Sequence, residues 1–170
     1  MALTPSQLQT LKAAIAAETD VAFVEYRTNG QTDLMRDWYN TEATPTLWVS
    51  VSNVSTALVG KVINYVAFSA LTTANRDRLT GFMLLNPITF DGTKADVKEL
   101  LSADTAAGIF SGALGGQGAD TRAAMDAIMR RAVTRCERLY VTGAGTAASP
   151  GLAGFVGKIS SSDISAALAA

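Results

Sequence analysis

The side chains able to do chemistry are few, and their types limit what the chain can do. Among 170 residues there is no histidine and one cysteine, Cys136. Without histidine, no Ser-His or Cys-His nucleophile pair can form, and the commonest general base and metal ligand are missing. One cysteine supports neither an internal disulfide nor a Cys-rich zinc site. The glycines Gly112, Gly115, Gly116 and Gly118 lack the Gly-Lys-Ser/Thr ending of a phosphate loop and read as a flexible loop. Gly143-Ala144-Gly145 is not followed by the third glycine of a dinucleotide fingerprint, and Ser149 has no base partner. Asp91 and Asp96 read as solvated turn and cap residues, and Trp38 and Trp48 as packing anchors. Cys136, on an apolar stripe, reads as an inert core thiol. No catalytic, cofactor-binding or metal-binding residue is assigned, and the chain is read as a non-enzyme.

Charge is nearly balanced, with 14 basic and 15 acidic residues, so net charge points to no nucleic-acid partner. It is unevenly placed. Between Asp120 and Tyr140 five arginines stand against Asp120, Asp126 and Glu137, a local excess of two positive charges. That face allows three readings: a solvated surface laced by Arg122–Asp126 and Asp126–Arg130 pairs, contacts with carboxylates of a neighbouring subunit, or contacts with DNA phosphates. Arg130, Arg131, Arg135 and Arg138 are the candidates for partner contacts.

The elements that must position these groups are mainly helical. Thr4, Pro5 and Gln7 form a capping box with proline in the first turn, and Leu8, Leu11 and Ile15 continue as one apolar stripe to about residue 17. Asp20 to Tyr26 reads as a short strand or extended linker into the Asn29-Gly30 turn. Helices are expected from Thr32-Asp33 through Tyr39, over Ser55 to Ala67, from Leu71-Thr72-Thr73 to Leu85, and after Thr93. Met125, Ile128, Met129, Ala132, Val133, Cys136, Leu139 and Tyr140 step by three and four, which predicts one long helix from about Asp120 to Tyr140.

From Val141 the composition changes. The last 30 residues hold five glycines and only two charged side chains, Lys158 and Asp163. This stretch reads as too poor in large side chains to build a core alone, with strand character confined to Phe155–Ile159. The expected organisation is therefore a helical-bundle body over residues 1–140 and an extended glycine-rich arm over 141–170. The arm would pair its main chain along a partner through Gly154, Phe155, Val156, Gly157, Lys158 and Ile159, with Phe155 and Ile159 as anchors. The start, Met1 to Pro5, has no basic or apolar leader, and no run approaches 18 apolar residues, so a soluble intracellular protein is expected.

Two motifs resemble a known group. Met1-Ala2-Leu3-Thr4-Pro5, and Thr134, Arg135, Glu137 and Leu139 running into Thr142, Gly143, Gly145, Thr146, Ala148, Ser149 and Pro150, resemble the ends of small tailed-bacteriophage virion proteins. Trp38-Tyr39-Asn40 and Ile109-Phe110-Ser111-Gly112 add looser likeness. The resemblance implies a head-to-tail connector or adaptor: a homo-oligomeric ring subunit of the virion neck, made in the host cytoplasm. Its neighbours would be the portal and tail or other neck proteins, with packaged DNA as a passing contact and no membrane. A capsid decoration protein and a tail terminator are alternatives within that class. A small phage enzyme and a DNA-binding accessory protein are alternatives from other classes.

Overall fold

The computed structural model describes residues 3–111 and 115–170; Gly112 of the expected loop lies outside them. The chain forms two compact units. One is built from the segment ending at Val49 and the segment beginning at Ala132, the other from Ser50–Arg131.

The first unit opens with α1 (Pro5–Ala17), whose start is the one the residues predict. Thr4 Oγ1 accepts from Gln7 N, and Gln7 Oε1 accepts from Thr4 N at 2.9 Å. The next segment is a helix, α2 (Val21–Thr28), and not a strand: Asp20 caps it by accepting from Phe23 N. Gly30 turns the chain at φ +65, and α3 (Thr32–Tyr39) follows. The chain then leaves this unit along β1 (Trp48–Ser50).

In the second unit β2 (Val54–Ser55) runs into α4 (Thr56–Val62) and α5 (Tyr65–Ser69), which replace the single helix expected over 55–67. The break falls where Asn64 caps α5 through the amides of Val66 and Ala67. Then come α6 (Thr73–Leu85), β3 (Thr89–Phe90), α7 (Ala95–Ser102) and α8 (Gly115–Ile128). Strands β2 and β3 pair antiparallel, Val54 opposite Phe90. Val59, Leu79, Phe82, Leu101, Phe110, Met125 and Met129 fill the core of this unit. Gly115, Gly116 and Gly118 belong to the first turn of α8, so these three do not form a loop.

The long helix predicted over 120–140 does not exist. It is divided into α8, β4 (Arg130–Ala132) and a single turn, α9 (Arg135–Arg138). Apolar spacing continues through the break, but the residues serve different cores: Met125 and Met129 lie in the second unit, Cys136 in the first. The reason is local. Thr134 and Glu137 form a capping box that starts a new helix, and a capping residue is itself extended. Before it, Val133 donates to Leu47 O and accepts from Ala43 N, so its backbone is already engaged. Arg122 is also not on a solvated ladder: it pairs with Asp104 at 3.0 Å and donates to the Phe110 carbonyl.

The first unit is completed by β5 (Val141–Thr142), β6 (Leu152–Ala153) and α10 (Ser161–Ala169). Residues 141–170 are therefore not an extended arm. Strand β5 pairs antiparallel with β6, and α10 packs against α1 and α3. Phe155, Ile159, Ile164 and Ala167 are buried in one core with Leu11, Ile15, Phe23, Met35 and Tyr39. Phe155–Ile159 is not a strand; its backbone is held by side chains instead. Asn40 clamps Ile159, accepting from its N–H at 3.0 Å and donating to its carbonyl at 2.9 Å. Gly157 N donates to Glu137 Oε1 at 3.0 Å, and Gly154 N to the Tyr140 carbonyl at 2.9 Å. Small residues permit this closeness: a Cβ on Gly151 would meet Val141 Cγ1 at 2.5 Å and the Thr142 carbonyl at 2.6 Å. Ser160 and Asp163 then start α10 with a capping box.

Candidate functional site

The first unit carries a cleft of about 430 Å³ whose walls come from four places in the chain. Glu18 and Asp20 stand at the junction of α1 and α2, Trp38 and Tyr39 at the end of α3, Thr44 just beyond it, and Arg135, Arg138 and Leu139 on and after α9. The capping box at Thr134 sets the start of α9 and so presents Arg135 and Arg138 three residues apart, as helical neighbours.

Of the lining residues, Trp38 and Tyr39 belong to an aromatic cluster with the buried Phe23. Phe23 and Trp38 ring centroids are 4.7 Å apart, Phe23 and Tyr39 5.4 Å, and Trp38 and Tyr39 5.1 Å. The Arg135 guanidinium lies 3.9 Å above the Trp38 ring, a cation–π stack that fixes the plane of its donors. Arg138 Nη1 donates to the Thr44 carbonyl at 3.0 Å. On the acidic side, Glu18 Oε1 accepts the amides of Thr19 and Asp20, and Asp20 Oδ1 that of Phe23. Neither carboxylate forms an ion pair with Arg135 or Arg138. The buried Tyr39 hydroxyl has no hydrogen-bond partner, and burial, with the Glu18 charge adding to it, pushes its pKa above the usual tyrosine value. It stays a donor.

The second unit presents the opposite chemistry. Its surface includes an apolar groove of about 490 Å³ lined by Gly60, Ile63, Tyr65, Phe68, Leu79, Thr80 and Met83. Tyr65 is 81% exposed, and three large aliphatic side chains at the end of α6 and beyond, Leu84, Leu85 and Ile88, are 74%, 84% and 77% exposed.

Of the residues singled out from sequence, the cleft brings together Arg135 and Arg138 but not Arg130 or Arg131, which are half-buried where the chain passes between units. Phe155 and Ile159 are core residues, with Phe155 edge-on to Tyr140 at 5.8 Å, so they are not free anchors. Val156, Gly157 and Lys158 are exposed, as is Gly154. Cys136 is fully buried, and burial, reinforced by Glu137 and Asp163, pushes its thiol up to about 12, which keeps it protonated. Asp91 accepts the amide and the hydroxyl of Thr93, a closed turn, and those bonds hold its carboxyl below the usual value. Among the described residues no three histidine, cysteine, aspartate or glutamate side chains gather as a metal site, and no helix is long and apolar enough to cross a membrane.

Sequence reasoning missed Glu18, Asp20 and Thr44, and the stacking of Arg135 on Trp38. The one available signal was Asp20 three residues before Phe23, an N-cap spacing that would have placed two carboxylates at a helix junction. The chain matches no protein-family model and has no significant match among curated proteins or solved structures.

Proposed function

We propose that this chain is a structural subunit of a tailed-bacteriophage virion, a head-to-tail connector or adaptor that assembles as a homo-oligomeric ring and contacts portal and tail components. The end motifs that resemble small virion proteins support the reading. The observation that carries it is the apolar surface of the second unit: the groove at Tyr65 and Phe68, and the exposed Leu84, Leu85 and Ile88. Exposed apolar clusters of this kind are characteristic of surfaces that a partner covers. Heterologous contacts whose rotation closes would make a ring.

The means of contact differs from the arm inferred from composition. Gly154–Ile159 is engaged within its own unit, so strand pairing by this segment has no free main chain to use at Gly154, Gly157 or Ile159. The contacts proposed here are made by the apolar side chains of the second unit, with Arg135, Arg138, Val156 and Lys158 reachable on the first. Cryo-electron microscopy of intact particles with this chain traced in density tests the reading. A ring between portal and tail supports it. Density on the capsid exterior favours a decoration protein, and absence from mature particles overturns the proposal.

A further inference from the structure

We propose that the cleft of the first unit is a carboxylate-binding site, with Arg135 as the planar fork that receives the carboxylate and Arg138 as its second charge. This inference rests on the geometry of that unit and stands apart from the virion reading.

Two observations carry it. First, the Arg135 guanidinium makes no hydrogen bond to any described residue, although Trp38 holds its plane in place. An immobilised guanidinium with unoccupied donors is a receptor for a planar, bidentate acceptor, and its ordering cost is already met by the stack. Second, Arg138 is the next residue but two on α9 and lines the same cleft, with one of its nitrogens engaged by the Thr44 carbonyl. Two cations one turn apart repel each other, and an anion between them removes that repulsion.

The same cleft decides which anion. Glu18 and Asp20 also line it and are not neutralised by either arginine. A phosphate dianion would be held near two carboxylates of like charge, whereas a single carboxylate carried on a neutral or donor-bearing group meets them at lower cost. The shared ligand chemistry is thus a monocarboxylate, either a small free acid or the carboxylate end of a peptide chain.

Fluorescence of Trp38 reports binding directly. In the full chain carrying Trp48→Phe, which leaves Trp38 as the only tryptophan, acetate and N-acetylglycine should each produce a saturable change, and N-acetylglycinamide, which lacks the charge, should not. Arg135→Lys keeps the charge but loses the fork and should weaken N-acetylglycine by about tenfold or more. Should that variant not fold by circular dichroism, Arg138→Gln, exposed and bonded only to Thr44, should still weaken it several-fold. Tighter binding by short peptides with free rather than amidated ends identifies the chain end as the source; equal affinity for acetate identifies a small free acid. Absence of saturation with both carboxylates overturns the proposal. So does inorganic phosphate binding as tightly as acetate, or an unchanged response in both arginine variants.

Discussion

Residues 141–170 and residues 65–88 look, as sequence, like the reverse of what they are. The C-terminal stretch is rich in glycine, alanine and serine and reads as unable to fold without help; in the structure the amides of Gly151, Gly154, Gly157 and Ile159 are bonded and four of its side chains are core. The stretch from Tyr65 to Ile88 has ample large apolar residues and belongs to the body expected to satisfy itself by packing inward, yet it leaves Tyr65, Leu84, Leu85 and Ile88 in solvent. Counting bulky side chains measures how much apolar surface a segment owns, not whether a neighbour covers it. A glycine-rich segment can be closed by side chains of other elements, as Asn40 and Glu137 close Ile159 and Gly157. A helix rich in leucine can still have nothing against half its surface.

The strongest way to break this comparison is to remove the C-terminal stretch. Deletion of residues 142–170 strips the cover from Leu11, Ile15 and Met35, so the first unit should fail to fold and Cys136 should become reactive toward a thiol reagent at pH 8. Survival of the helical signal with an unreactive thiol would return the segment to the status of a dispensable arm. Next in size, Ile164→Ala leaves a cavity between α10 and α1 and should cost about 2–5 kcal/mol in denaturant unfolding. Asn40→Ala leaves both backbone groups of Ile159 without their partner and should cost about 1–3 kcal/mol, without any change in apolar burial at the position.

The opposite pattern is expected in the second unit. Leu84→Lys with Leu85→Lys should move unfolding free energy by no more than about 0.5 kcal/mol each, because neither side chain is covered, while incorporation into particles is lost. Smallest of all is Asp91→Asn, which weakens the side-chain bonds to Thr93 in a turn whose backbone is also closed by the Lys94 amide. Its carboxyl titrates below the ordinary aspartate value when folded. Its contribution is therefore complete above about pH 4 and fades as pH falls through the lower folded value, so the wild-type and Asn variants should converge in acid.

What was legible in the sequence was what is decided locally. The capping box at Thr4 and Gln7, the Thr72 cap of α6 and its end before Asn86 are each set within one turn of the chain, and the structure has them. The capping box at Thr134 and Glu137 was equally local, but the three-and-four spacing of Met125 to Tyr140 ran through it and suggested one helix. Periodicity reports that each residue is buried, not that all are buried in the same core. The tail was illegible for the complementary reason: Gln7 and Asn40, which hold Gly154 and Ile159, are distant in sequence, and nothing in a glycine announces which carboxylate or carbonyl will receive its amide. The site shows both effects. Arg135 and Arg138 stood out by charge, whereas Trp38 beneath Arg135 could be found only once α3 and α9 met.

Amide hydrogen exchange on the purified, solitary chain tests the central claim most directly. The amides of Gly151, Gly157 and Ile159, which donate to Trp48, Glu137 and Asn40, should exchange as slowly as the Leu11 and Ile15 amides of α1, since both groups open only when the first unit opens. Exchange of the three at the rate of an unstructured peptide, with α1 still protected, would contradict the account.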